Sequence, residues 1–369
     1  MAGLAQTRIK IVMSMDYSLL QSHTVELYKL QEHVCSIKRV NARSLLVVQR
    51  FDLFAKLFYI DNIKANPLEA NKVYAEHIKA FNPDGREPGR NDKNGVGDFV
   101  STFDKIIEHF KEHDFDERIS VVPVDKNGVI LDGAHRVAAL AYYNREVTIA
   151  QFDDVEAVCT FDYSYFKNRG LAWSVCDTIA LELVKWVDNV YAACIWPSNT
   201  QNSQQIAVSR LSQQYQIAYI KDIQCNLNSL SNFVGYIYRA QDWTCNPLSV
   251  RDKASRVYGK SGLKVAFFKA GSDLDAVLKE KEEIRQSLGK GKDSLHITDN
   301  RSETLDIAGI VLTPDGMNQW LDGRNLNSYH KLCSQLEERW FIFKNVQWIA
   351  FKVAIYRIVN RLFKKHVVL

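Results

Sequence analysis

One stretch constrains the fold more than any other. Ile119-Ser-Val-Val-Pro-Val124 is a β-rich run, Asp125-Lys-Asn-Gly128 a turn, and Val129-Ile-Leu131 a second apolar run. Asn-Gly between apolar runs predicts a β-hairpin, since glycine supplies the positive φ that the tight turn needs. Asp132-Gly-Ala-His-Arg136 comes next, followed by the small-residue helix Val137-Ala-Ala-Leu-Ala-Tyr-Tyr143 and the strand Val147-Thr-Ile-Ala-Gln-Phe152. Upstream, Phe99, Phe103, Ile106, Ile107 and Phe110 recur at spacings of three and four, which predicts an amphipathic helix from Asp98 to His113.

Composition limits what surrounds this unit. The chain has 369 residues, 46% hydrophobic and 24% charged, which excludes wholesale disorder and collagen-like or low-complexity character. At roughly 100–200 residues per domain, two or three domains are expected. Lys plus Arg is 47 and Asp plus Glu is 43, a net charge of +4, too slight for a histone-like binder. Seven cysteines without a C-x-x-C pair point to a reducing compartment and exclude zinc-ribbon spacing. The N-terminus lacks a signal-peptide pattern, and no run reaches the ~18 apolar residues of a membrane span. A cytoplasmic protein is expected.

The pattern along the chain predicts an α+β protein. Residues 1–95 are an N-terminal extension ending in the turn-rich loop Asn82–Gly95, and residues 96–160 hold the hairpin–helix–strand domain. Residues 161–215 read as a helical connector. Residues 216–325 read as a second, α/β domain, with strands at Ile217–Ile223, Leu263–Ala270 and Ser294–Thr298, each followed by a helix. Residues 326–369 form a basic amphipathic tail: from Trp340 onward there are six Lys or Arg and no Asp or Glu. That tail suits an anionic membrane surface at the inner face, and with it a lipid-linked or surface-polysaccharide substrate. A core or oligomer-interface helix is an equal expectation, because its first half is apolar all round.

The chemistry concentrates at Asp132–Arg136. A strand running into a glycine turn and a helix start gathers backbone N–H groups where the helix dipole favours negative charge. Gly133 permits close approach, Arg136 offers a planar fork for phosphate oxygens, and His135 can donate or take a proton near neutral pH. Asp132 is available for a metal ion or a substrate hydroxyl. The turn therefore reads as a phosphate site, with Gly133, Ala134, His135 and Arg136 as its binding residues.

This segment, about Asp98 to Phe152, resembles the ParB/sulfiredoxin superfamily, whose core pairs a β-hairpin with a Gly-x-His-Arg-like turn and an alanine-rich helix. The superfamily includes CTP-hydrolysing DNA-partition proteins, ATP-dependent sulfinic acid reductases and kinases of free serine. Ala134 stands where the reductases carry a catalytic cysteine, which argues against sulfinic acid repair. One turn arginine and no helix-turn-helix pattern in 153–215 depart from the partition proteins. The free-serine kinases are most similar, since their turn also reads Asp-Gly-x-His-Arg. That resemblance implies ATP, ADP or CTP with Mg2+ and phosphoryl transfer to a small hydroxylated metabolite, an amino acid or a sugar. It implies roles in catalysis for Asp132 and His135. It also implies an acidic base near the preceding helix, a place that both Glu87 and Asp98 fit.

A second constellation, Ser294-Leu-His-Ile-Thr-Asp-Asn-Arg-Ser-Glu-Thr304, ends a strand and opens a helix. His296, Asp299 and Glu303 either gather around a metal ion or substrate hydroxyl or serve as helix caps and packed polar groups. The first alternative is a glycosyl- or nucleotidyltransferase; another rival is a non-enzymatic nucleic-acid binder. Gly271-Ser-Asp-Leu-Asp275 reads more simply as a helix cap than as a nucleotidyltransferase motif. The basic Arg251–Gly262 segment reads as a solvated loop, with a phosphate or sugar-phosphate clamp as the alternative, and the tryptophans as core rather than a sugar-stacking platform.

Overall fold

The computed structural model describes residues 15–87 and 95–321. The fold is α+β, with helices and two small sheets. The described residues divide into a larger compact unit, 15–224 with 256–313, and a smaller one, 225–255 with 314–321.

Both sheets lie in the larger unit. The first has the order β1 (Cys35–Asn41), β3 (Glu146–Phe152), β2 (Val122–Val124). Strand β1 runs antiparallel to β3, while β2 runs parallel to it, with Val122 opposite Ile149 and Val124 opposite Gln151. Parallel neighbours need a crossover. Here it contains the hairpin return and the Ala134–Tyr142 helix, so the 119–152 stretch forms the unit its pattern predicts. Val124 bridges Ile130, and Leu131 N–H donates to the Pro123 carbonyl at 2.9 Å. The turn closes on Asp125, whose buried carboxylate accepts the Asn127 and Val129 N–H groups, each at 2.8 Å. The ladder begins later than the β-rich text, and Ile119 is exposed.

The expected helix over 98–113 spans Val96–Glu112 and buries Phe99, Phe103, Ile107 and Phe110 on one face. It joins helices Phe51–Asn62 and Pro67–Phe81, the latter started by Pro67 and an Asn66 cap. Rings fill the space between them: Tyr59 and Tyr74 lie 4.8 Å apart, Tyr74 and Phe103 5.4 Å.

The second sheet has the order β5 (Gln216–Ile223), β6 (Leu263–Lys269), β4 (Val190–Ile195), β7 (Leu295–Ile297), and all its pairings are antiparallel. The expected strands at 217–223, 263–270 and 294–298 are all present. The helical connector over 161–215 is corrected, since β4 lies inside it and occupies an interior place in the sheet. Every residue of β4 is buried. Such a strand shows no alternation of apolar and polar residues and cannot be told from a buried helix by periodicity. The proposed boundary at 216 falls with the connector, because β4 pairs with strands on the far side of it. One sheet face, carrying Tyr191, Ala193, Ile195, Phe268 and Ile297, packs on Ala207, Val208 and Leu211 of helix Gln201–Gln214 and on Val277 and Ile284 of helix Leu274–Leu288. The other faces helices Trp173–Trp186 and Arg301–Leu312, and there Tyr219 donates to Asp177 at 2.8 Å. Trp196 is core as expected, but Trp173 is 48% exposed and packs under the Lys167 ammonium instead.

In the smaller unit, helix Leu227–Ile237 carries Phe233, whose ring meets Trp320 at 4.8 Å. Among the described residues no helix is long and apolar enough to cross a membrane. The basic tail, 326–369, lies outside the described residues.

Phe268 is fully buried in the second sheet's core. Phe268→Ala is expected to lower unfolding free energy by about 3–5 kcal/mol, read as a lower urea midpoint at unchanged slope.

Candidate functional site

The turn after the hairpin has the local geometry an anion site needs. Gly133 sits at φ +85°, as N-cap of the Ala134–Tyr142 helix, and Val137 N–H closes the first turn on its carbonyl at 3.0 Å. A Cβ at this position would lie 2.9 Å from Arg136 Nη2 and 3.3 Å from Val122 Cγ2. Glycine is thus favoured by the left-handed backbone, while the guanidinium lying across it is the movable end of a flexible side chain. Arg136 Nη2 reaches Asp132 Oδ2 at 3.5 Å, a long contact between two partly exposed groups. At the other end of the helix, Arg43 Nε donates to the Ala141 carbonyl at 3.1 Å, satisfying one of its terminal acceptors.

Beneath the turn lies a polar cluster that the sequence pattern did not single out. Arg50 forks onto Asp52, with Nε to Oδ1 at 2.9 Å and Nη2 to Oδ2 at 3.0 Å, while its Nη1 donates to the Ile130 carbonyl. Lys56 Nζ donates to Asp52 Oδ2 at 2.9 Å and lies 3.3 Å from both the Asp52 carbonyl and His77 Nε2. His77 Nδ1 lies 2.8 Å from the Tyr74 carbonyl. All four residues are at most 3% exposed. A carbonyl only accepts and an ammonium only donates, so His77 carries its proton on Nδ1 and is neutral. Burial, with the Lys56 charge beside it, pushes His77 down to about 3. Burial opposes the charge on Asp52, but the Arg50 and Lys56 charges outweigh it and hold the carboxyl far below the usual range.

The cluster reaches the turn from two sides. Arg50 fixes the Ile130 carbonyl two residues before Asp132, and the Asp132 charge adds to that of Asp52 in favouring the guanidinium. Tyr74, on the helix that carries His77, places its hydroxyl 2.8 Å from His135 Nε2, and the Phe103 ring meets the imidazole edge-on at 4.9 Å. Of the two candidate bases, the Glu87 carboxylate acts electrostatically on both Lys56 and Tyr74. Asp98 is exposed in the first turn of helix Val96–Glu112. One sequence signal does mark the cluster: Asp52 and Lys56 interrupt a helix whose other residues from Phe51 to Leu57 are apolar and buried.

The second constellation is also brought together. His296 Nε2 lies 2.8 Å from Glu303 Oε1, and the Asp299 N–H donates to Glu303 Oε2 at 2.8 Å. Lys281 Nζ donates to Asp299 Oδ1 and to the Ile297 carbonyl, both at 2.7 Å. Asn300 caps helix Arg301–Leu312, so both Glu303 oxygens serve to bind the helix start to β7. Cys194, opposite His296 in the ladder, is fully buried, and burial pushes its thiol far up. The capping reading of 271–275 holds with Asp273 as the N-cap in place of Ser272.

Among the described residues no group of three or more His, Cys, Asp or Glu is arranged to hold a metal ion. A cavity of about 610 Å3 lies between helices Pro67–Phe81 and Val96–Glu112, and another of about 440 Å3 is lined by Gln49, Tyr163 and Tyr215; neither includes a residue of the turn. No protein-family model matches this sequence, and comparison with curated proteins and with solved structures yields no match.

Two outcomes follow from the buried cluster. Asp52→Asn, which leaves two buried cations without their carboxylate, is expected to cost about 3–5 kcal/mol in urea unfolding. His77 binds a proton below pH 6.5 when unfolded but only below about 3 when folded. Stability therefore falls as pH drops through that window, by up to about 1.4 kcal/mol per pH unit from this group. His77→Gln keeps an acceptor for Lys56 and a donor for Tyr74, so urea midpoints between pH 7 and 4 are expected to show a flatter slope.

Proposed function

We propose that the chain is a nucleotide-dependent phosphotransferase. In this reading it binds nucleotide phosphates at Gly133–Arg136 and transfers a phosphoryl group to a small hydroxylated metabolite. The observation that carries this reading is the buried cluster under the turn. Two cations and one carboxylate, Arg50, Lys56 and Asp52, leave one positive charge in a water-excluded site beside a helix N-terminus. There the field of a cation is screened far less than in water, and an anion at the turn benefits.

Each group then has a task. The first-turn N–H groups and the Arg136 fork hold phosphate oxygens, with Arg136 exchanging its 3.5 Å contact to Asp132 for the ligand. Freed from Arg136, Asp132 is a carboxylate that suits Mg2+. Such an ion would arrive with the nucleotide and keep several of its waters. That ion, when bound, neutralises charge on the phosphates. Glu87, whose charge reaches Lys56 and Tyr74, orients the acceptor hydroxyl and takes its proton. The acceptor oxygen bonds to phosphorus as the bond to the leaving nucleotide breaks, a nucleoside diphosphate from ATP or CTP and a monophosphate from ADP. A reducing, cytoplasmic setting belongs to this reading, as does the resemblance to free-serine kinases.

Titration calorimetry of ATP, ADP and CTP with magnesium tests it. Wild type is expected to bind at least one of the three, and Arg136→Ala to bind it about 10–100-fold more weakly, the worth of a lost charge-assisted contact. Glu87→Gln is expected to keep binding while turnover of the hydroxyl acceptor falls by about 10²–10⁴. No binding of any of the three, or equal binding by Arg136→Ala, overturns the reading.

A further inference from the structure

Tyr74 contacts two histidines through two different groups. Its carbonyl accepts from His77 Nδ1 at 2.8 Å, and its hydroxyl lies 2.8 Å from His135 Nε2 and 3.4 Å from the Phe99 carbonyl. The phenol has one proton and two acceptors in reach. The contact to Nε2 has the length of a strong bond, whereas 3.4 Å is long for a hydroxyl donor. Phe99 also lies inside a helix, where its carbonyl has the Phe103 N–H as a partner.

We infer that Tyr74 is a positioning residue, donating its phenol proton to His135 Nε2 so that the neutral imidazole carries its own proton on Nδ1. Burial, reinforced by Tyr59 and the nearby carboxylates, raises the Tyr74 phenol well above its ordinary value, which favours its protonated, donating form. The Phe103 ring, edge-on at 4.9 Å, holds the imidazole plane. Nδ1 is the ring nitrogen nearer the backbone, on the same residue whose N–H belongs to the first helical turn. Beside the Asp132 carboxylate, the turn then carries donors: backbone N–H groups, the Arg136 guanidinium and His135 Nδ1–H. Donors of this kind suit an acceptor-only oxyanion, a fully ionised phosphate. His135 in this state is a donor to the ligand, and the proton-accepting step is left to a carboxylate. This deepens the phosphotransferase reading and rests on it for the identity of the ligand, but the tautomer itself is a property of the free protein.

Long-range 1H–15N correlation spectra of the imidazoles in ligand-free wild type and Tyr74→Phe, recorded at about pH 8, decide the matter. The protonated and unprotonated ring nitrogens resonate far apart, and free histidine side chains favour the proton on Nε2. In wild type both His77 and His135 are expected as Nδ1–H tautomers. In Tyr74→Phe, His135 is expected to revert to Nε2–H while His77, bonded to a backbone carbonyl, keeps Nδ1–H and so reports that the fold survives. His135 protonated on Nε2 in the wild type overturns the inference, and so does an unchanged His135 in a folded Tyr74→Phe. If the variant does not fold, the wild-type spectrum alone decides. The expected tautomers with no nucleotide binding would sink the phosphotransferase reading and leave this one standing.

Discussion

The Asp52 carboxylate, buried between Arg50 and Lys56, is the interaction on which the rest of the structure around the turn depends. Removing three charges from water costs several kcal/mol per ion, and well-packed apolar residues of the same size can match or better the stability of such a cluster. Its contribution is therefore geometric. Arg50 reaches the Ile130 carbonyl on the hairpin return entering the turn, and Lys56 reaches His77, which holds the Tyr74 carbonyl. Tyr74 in turn touches His135 on the helix leaving it. Segments near residues 50, 75 and 130, distant in sequence, are tied into one polar chain that closes around the turn.

This chain explains which features were legible in the residues and which were not. The hairpin, the Gly133 turn and the amphipathic helix before them are local: Asn-Gly, a glycine before Ala-His-Arg, and phenylalanines at helical spacing each act within a few positions. The cluster is not local. Asp52 and Lys56 stand four apart, the spacing of an ordinary exposed helical ion pair. Only the apolar residues around them on every side of the helix show that the pair is inside. Strand β4 was missed for a related reason, since helices on both sheet faces bury all six of its residues and erase the alternation that marks a half-exposed strand. Tyr74 carries no sequence signal at all. It sits on an ordinary helical face, and its role appears only when helix Pro67–Phe81 is brought against the turn.

The two constellations that the sequence offered are distinguished by how their polar groups are engaged. At 296–303 the carboxylate of Glu303 has one oxygen on His296 and the other on the Asp299 N–H, and Lys281 holds Asp299. Every one of these contacts lies between 2.7 and 2.8 Å, and together they fasten a helix start to a sheet edge. At the turn, the Arg136–Asp132 contact is 3.5 Å and partly open to solvent. On the phosphotransferase proposal a ligand phosphate would replace that contact, whereas entry at the second constellation would mean breaking short bonds that also hold a helix start.

The sign of the charge under the turn completes the argument. Glu87 and Asp132 are the carboxylates whose fields reach Lys56 and Arg50 from outside the cluster. On the phosphotransferase proposal, an anion bound at the helix N-terminus would meet attraction from the buried cations and repulsion from these two carboxylates. A divalent cation arriving with the phosphates would offset the Asp132 charge, leaving Glu87 to face the acceptor hydroxyl. The buried positive charge would thus favour the anion while the two carboxylates oppose it, and the metal would tip that balance toward binding.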